Sequence, residues 1–362
     1  MSCGRGNGEL TGKPKYHAPH EYGVDPGQAR NLRLNSSGVA IGAWHNLPRS
    51  LYLEHVRDGV VPDAVYEQAL VEYPTVVYLH GNALNRAAPF RVRSYQEISE
   101  VLNANVIAID YRGFGDSESV PTEEGVVLDA RAAVQFVLDH ARRPDRTGPA
   151  PGLTLMGQSL GTGVAAQCAL RLFREGIHVD GVVLLAAFSS LRPLVAAFRM
   201  GGLVPLLGWL DYVPFKEEIL DNMLHYSFDT QAAISELVGA NARPGVLRPP
   251  TVVDMHTDDD DVIPPGHGST LLDAAITALD ARNRNGSFQL YLTAVADLAR
   301  VTSVMHKQAR KPTQQILEEG ARANLPRGAP FTLVQLERGG HNHILDGNMD
   351  LIKLMLPKNM QA

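Results

Sequence analysis

The chain has 362 residues, enough for one large domain with insertions or for two ordinary ones, and its balance of 44% hydrophobic to 20% charged residues excludes a disordered or fibrous protein. A net charge of −6 is the wrong sign for the concentrated basic face that a nucleic-acid partner requires. The two cysteines lie far apart, Cys3 in a polar tail and Cys168 in an apparent helix, so no structural disulfide is expected.

Residues 1 to about 30 are polar and rich in Gly, Pro and His, and read as a flexible leader with no apolar signal or anchor. A cytoplasmic location is the expectation. Residues 31–362 read as a single domain. It opens with Asn31–Trp44, which alternates around Ser37-Gly38 as a hairpin does. From Tyr73 onward, short apolar runs (Val76–Leu79, Val106–Ile109, Leu153–Met156, Val182–Ala187, Val252–Met255 and Thr332–Leu336) alternate with helical patterns. Between two of them, Glu123–His140 places Val126, Val127, Ala130, Val134, Val137 and Leu138 on one stripe, a crossover helix. A buried strand followed by an amphipathic helix, repeated, predicts a mostly parallel central sheet flanked by helices, with ligands gathering at the carboxyl ends of the strands.

Two stretches depart from the alternation. Residues 189–248 form an apolar insertion, read as a helical cap over the site, with Leu191, Phe198 and Trp209 as its substrate contacts. Arg192, Pro193, Arg199, Pro205 and Asp211 interrupt this region, so a membrane span is not predicted. Residues 283–330 exceed what one crossover needs, and helices are expected over Leu290–Gln308 and Thr313–Ala323.

The sharpest chemical signal is Gly157-Gln158-Ser159-Leu160-Gly161, placed between the strand Leu153–Met156 and a helix-like run through Val164, Ala165 and Ala169. A serine on such a turn projects its hydroxyl from the sheet edge, and flanking glycines permit the crowded backbone. The hydroxyl needs a general base and a group that orients the base. His341 follows the last strand in Glu337-Arg338-Gly339-Gly340-His341-Asn342-His343, with His343 in reserve. The acid belongs to Asp258–Asp261 after the strand Thr251–Met255; Asp260 is the choice and Asp259 its competitor. The order Ser, Asp, His is the one this fold uses. Two backbone N–H groups should form an oxyanion hole, one from Leu160 and one from Asn82 in His80-Gly81-Asn82-Ala83. His80 reads as a loop holder, and Asp110 and Asp116 as part of a bracing turn. No metal or other cofactor is expected.

Taken together, Ser37–His45, Leu79–Ala83, Asp110–Ser117, Gly157–Gly163 and His341 resemble the α/β-hydrolase-domain family of serine hydrolases, across most of residues 31–345. The members it is most similar to are the monoacylglycerol lipases and lysophospholipases (group twelve) and the depalmitoylating enzymes. The resemblance implies an α/β-hydrolase fold with a cap, a Ser159–His341–Asp260 triad, a hole at Asn82 and Leu160, and an acyl-enzyme formed from an acylglycerol, lysophospholipid or other hydrophobic ester. Membrane-bound relatives carry an amino-terminal anchor without a counterpart here, which leaves peripheral membrane contact open. The alternatives on the same fold are an acyl-protein thioesterase, a natural-product-modifying hydrolase or acyltransferase, and a binding module that has lost catalysis.

Overall fold

The computed structural model describes residues 15–141, 150–190, 227–240, 247–282, 288–295, 299–306 and 329–360, together with Arg199–Met200 and Val204–Pro205. Its strands, in chain order, are β1 (Ala29–Ser36), β2 (Val39–Asn46), β3 (Thr75–Leu79), β4 (Asn105–Ile109), β5 (Leu153–Gln158), β6 (Gly181–Leu185), the short pair β7 (Arg199–Met200) and β8 (Val204–Pro205), β9 (Thr251–Thr257), β10 (Phe288–Val295), β11 (Ala299–His306) and β12 (Phe331–Leu336). The helices are α1 (Arg49–His55), α2 (Asp63–Glu72), α3 (Pro89–Val101), α4 (Glu123–Ala141), α5 (Leu160–Arg174), α6 (Thr230–Gly239), α7 (Gly266–Arg282) and α8 (Met349–Met355).

Ten strands form one sheet in the order β1-β2-β4-β3-β5-β6-β9-β12-β11-β10. The neighbours from β4 through β12 pair in parallel. The predicted hairpin β1–β2 pairs Ser36 with Val39 across Ser37-Gly38, both at positive φ, and joins the sheet antiparallel through β4. The parallel strands are apolar throughout because both faces are covered. Val77, Leu155, Val182 and Val252 pack toward α4, α5, α6 and α7, whereas their neighbours Val76, Met156, Val183 and Val253 pack toward α3 and α8. After β4 the chain crosses to the other side of β3 to form β5, so the order reverses between them. This is the point where an open α/β sheet leaves a crevice at its carboxyl edge.

Several expectations are revised. Of the helix expected over Leu290–Gln308, the described residues are strands: β10 and β11 pair antiparallel and extend the sheet from β12. Leucine and alanine invite the helical reading, but Tyr291, Thr293, Val295, Val301, Thr302 and Val304 favour extended backbone, and β12 offers an edge for them to pair with. Thr313–Ala323 lies outside the described residues. Within the expected leader, the chain from Lys15 is packed: Tyr16 and Val24 are buried and the Trp44 indole donates to the Tyr16 carbonyl at 2.8 Å. Of the expected cap, Leu191, Phe198 and Trp209 lie outside the described residues. Its end, α6, is a layer helix whose Ala233, Ile234 and Leu237 join the core beside α5 and α7. No helix among the described residues is long and apolar enough to cross a membrane.

Candidate active site

β5 ends at Gln158 and α5 begins at Leu160, leaving Ser159 alone on the turn at φ 53° and ψ −120°. That backbone is strained for a residue with a side chain. The turn is held by its surroundings: Ser159 N–H donates to the Leu185 carbonyl at 2.9 Å, and Thr162 donates to the Ser159 carbonyl through its N–H (2.8 Å) and hydroxyl (2.7 Å). The glycines are required by close approach. A Cβ on Gly157 would run into the Gly161 carbonyl, and one on Gly161 into the Leu79 carbonyl of β3. Helix α5 therefore starts directly on the sheet edge, with Ser159 half-buried at its N-terminus.

The loop after β12 turns back through Gly339 and Gly340, both at positive φ, and places His341 beside the loop after β9. His341 Nδ1 donates to Asp260 at 2.9 Å (Oδ2) and 3.2 Å (Oδ1). This fixes the tautomer that leaves Nε2 as the basic nitrogen. Asp260 is buried, and its Oδ1 also accepts from the N–H groups of Val262 and Ile263, at 2.9 Å each. Burial pushes the Asp260 carboxyl up, but the His341 hydrogen bond and charge, with the two amides, outweigh it and hold the group below the ordinary carboxylate range. Asp259 has a different task. It accepts from Gly340 N–H at 2.8 Å and Gly339 N–H at 3.3 Å, and so pins the loop that carries His341. His343 is exposed and donates to Asp346 at 3.0 Å.

Two side chains that sequence reasoning passed over join these parts. Gln158, the variable residue of the serine motif, donates to the His341 carbonyl at 3.2 Å and to Asn342 Oδ1 at 3.3 Å while accepting from the Tyr78 hydroxyl at 3.0 Å. It ties the histidine loop to the elbow. No direct Ser159 Oγ–His341 hydrogen bond forms among the described residues; such contacts often tighten only when substrate is bound. The second is Arg86, fully buried, whose Nη1 donates to Asp110 at 2.5 Å and Asp116 at 2.7 Å and whose Nη2 donates to Asn31 at 2.9 Å. Asp110 also accepts from Arg86 N–H at 2.6 Å, which anchors the far end of the loop containing Asn82. His80 is buried beneath that loop, donates from Nδ1 to the Gly81 carbonyl at 2.7 Å, and lies under the Tyr111 ring.

Asn82 is exposed after β3, across from the start of α5, and a Cβ on Gly81 would lie 3.2 Å from Ser159 Cβ. The Leu160 N–H, the first of α5, has no acceptor within the helix and lies at its positive end. A serine on a strained turn, an imidazole oriented by a buried carboxylate, and loop amides at a helix N-terminus are groups that acyl-transfer chemistry can use.

Comparison with known proteins agrees. The alpha/beta hydrolase family matches residues 76–351. Lysophosphatidylserine lipase ABHD12 of Danio rerio is 30% identical over 313 residues, covering 86% of this chain and 73% of that protein. Protein ABHD12B of Homo sapiens is 36% identical over 195 residues, but this covers only 52% of this chain and 49% of that protein. Among solved structures, an alpha-beta hydrolase from Vibrio vulnificus shares the fold, with a TM-score of 0.55 at 13% identity over 92% of this chain and 83% of that one. The chain belongs to the alpha/beta hydrolase family, and its enzyme class is that of a carboxylic ester hydrolase.

Proposed function

We propose that Ser159, His341 and Asp260 act as a catalytic triad that cleaves a hydrophobic ester of the acylglycerol or lysophospholipid class through an acyl-enzyme. The observation that carries this reading is the 2.9 Å hydrogen bond from His341 to buried Asp260, on a loop that Gln158 ties to the turn bearing Ser159. His341 Nε2 takes the proton as Ser159 Oγ adds to the acyl carbonyl. The carbonyl electron pair moves onto oxygen, where Asn82 and Leu160 N–H groups receive it. The tetrahedral intermediate collapses as His341 returns the proton to the leaving alcohol. Water, activated by the same imidazole, then releases the acid and restores Ser159. The substrate class is supported by the lysophosphatidylserine lipase relative of Danio rerio, 73% of whose length this chain covers.

The test is covalent labelling of the purified chain with a fluorophosphonate, beside Ser159→Ala and His341→Ala. Labelling of the native chain that disappears in both variants is expected, and a panel of monoacylglycerols, lysophospholipids and acyl thioesters then ranks the acyl donors. A folded native chain that resists the probe, or a Ser159→Ala variant that still labels, overturns the proposal.

A further inference from the structure

The third residue of α3, Arg91, is buried. Its guanidinium is spread over three backbone carbonyls of one loop: Nη1 donates to Asn85 at 2.9 Å, and Nη2 to Ala83 at 2.5 Å and to Gly81 at 3.4 Å. That loop is the one that presents Asn82. The contrast with Arg86 is informative, since Arg86 is neutralised by Asp110 and Asp116. Arg91 has no carboxylate within ion-pair distance among the described residues, and three buried phenols, Tyr78, Tyr95 and Tyr111, lie within reach of its charge. Burial lifts all three above the ordinary tyrosine range, so each is neutral at physiological pH. His80 is held below the ordinary imidazole range, first by burial and then by the Arg91 charge, and is neutral too. A buried cation answered by carbonyl dipoles and the face of the Phe90 ring, with no carboxylate, costs several kcal/mol relative to water. A surface helix has no need of one.

Peptide geometry says what this arrangement does. Described peptide bonds are all trans, and in a trans peptide the C=O and the following N–H point in opposite directions. The Gly81 carbonyl is drawn inward by His80 and Arg91, so the Asn82 N–H of the same peptide unit is turned outward, away from the guanidinium. A Cβ built on Gly81 would lie 3.7 Å from Arg91 Nη2 and 3.2 Å from Ser159 Cβ, so the guanidinium and the elbow flank the same glycine. Charge at that range, shielded from water, acts on a developing oxyanion far more strongly than it would at a surface.

We propose that Arg91 is the positioning residue of the oxyanion hole: its guanidinium clamps the Gly81–Asn85 loop by its carbonyls, turns the Asn82 N–H toward the reacting carbonyl oxygen, and places an unpaired positive charge behind it. This rests on the reading of Ser159 as nucleophile. The role is specific to the transition state, because the ground-state ester carries no full negative charge for Arg91 to answer.

The test uses the full chain with Arg91→Met, which keeps bulk without charge, and Arg91→Lys, which keeps charge but cannot span three carbonyls. Each is measured for kcat and KM on a short-chain p-nitrophenyl ester. Each is also measured for affinity toward an alkyl trifluoromethyl ketone, whose Ser159 adduct bears an oxyanion, and toward the matching uncharged ether. Arg91→Met should lose about 100-fold in kcat, the scale of one lost oxyanion donor, and Arg91→Lys about tenfold. KM and ether affinity should stay put while ketone affinity falls in step with kcat/KM. If Arg91→Met does not fold, Arg91→Lys decides by the same split. A folded variant that binds the ketone as the native chain does, or that loses ketone and ether affinity equally, overturns the proposal. Native protein that neither turns over the ester nor binds the ketone defeats this inference and the Ser159 reading together, whereas an active native chain with unaffected variants defeats this inference alone.

Discussion

Four consecutive aspartates follow β9, and their neighbours separate them. Asp260 reaches His341 from a buried position, whereas Asp259 faces the Gly339 and Gly340 amides at the surface. Asp260→Asn replaces the acceptor of the Nδ1 proton with an amide that can present a donor there and favours the wrong tautomer, so kcat should fall by about 10³- to 10⁴-fold with little change in folding. Asp259→Asn keeps an acceptor for the loop amides and should retain most activity. Ester turnover of both variants checks this; if Asp259→Asn is the inactive one, the acid has been misassigned.

Strand β9 carries an oddity for a buried parallel strand. All seven of its residues are buried, and both oxygens of Asp254 lack a hydrogen-bond partner among the described residues. Burial alone pushes this carboxyl up to about 8, against 3.8 when unburied, so it stays protonated at neutral pH. The sign follows from proton linkage. Below about pH 4 both folded and unfolded chains hold the proton and burial costs nothing extra. Between about pH 4 and 8 only the folded chain holds it, so stability falls with rising pH by up to about 1.4 kcal/mol per unit, then levels off. Asp254→Asn cannot ionise. Its stability relative to the native chain should therefore rise steadily from pH 4 to pH 8, as read by denaturant melts at several pH values, and a constant difference would refute the assignment.

The whole molecule couples its amino-terminal segment to the site. Tyr22 packs on the Trp44 ring with 5.8 Å between centroids, Tyr16 accepts from the indole through its carbonyl and lies under the Arg86 guanidinium, whose carbon is 4.2 Å from the phenol centroid, and Arg86 anchors the Asn82 loop through Asp110. A chain starting at Gly23 would lack Tyr16 and Tyr22 and uncover Trp44 and Arg86. Lost burial and cation–π contact should cost about 2–4 kcal/mol, seen as a drop of several degrees in Tm. Fluorophosphonate labelling should slow as the Asn82 loop loosens. An unchanged Tm would mean that residues 15–22 contribute no net stability.

The serine motif, the histidine loop and the strand–helix alternation were legible because each is a local pattern: glycines where backbones must touch, apolar runs where both sheet faces are covered. Asp260 could be picked from its neighbours by order and spacing only as a preference, since four adjacent carboxylates look alike until a fold decides which one faces an imidazole. Arg91 carried no signal at all. In Pro89-Phe90-Arg91-Val92-Arg93 it is indistinguishable from Arg93, which reaches the surface and pairs with Asp346. Leu290–Gln308 misled for the same reason in reverse, its helix-forming residues yielding to an open edge at β12. Sequence by itself determined the α/β alternation and the strand–turn–helix that carries Ser159, because those rest on short-range sterics and periodicity. Only the tertiary structure decided which carboxylate faces His341, which arginine lies under the Asn82 loop and which strand edge β11 takes up, because burial and partnership belong to residues that come from distant parts of the chain.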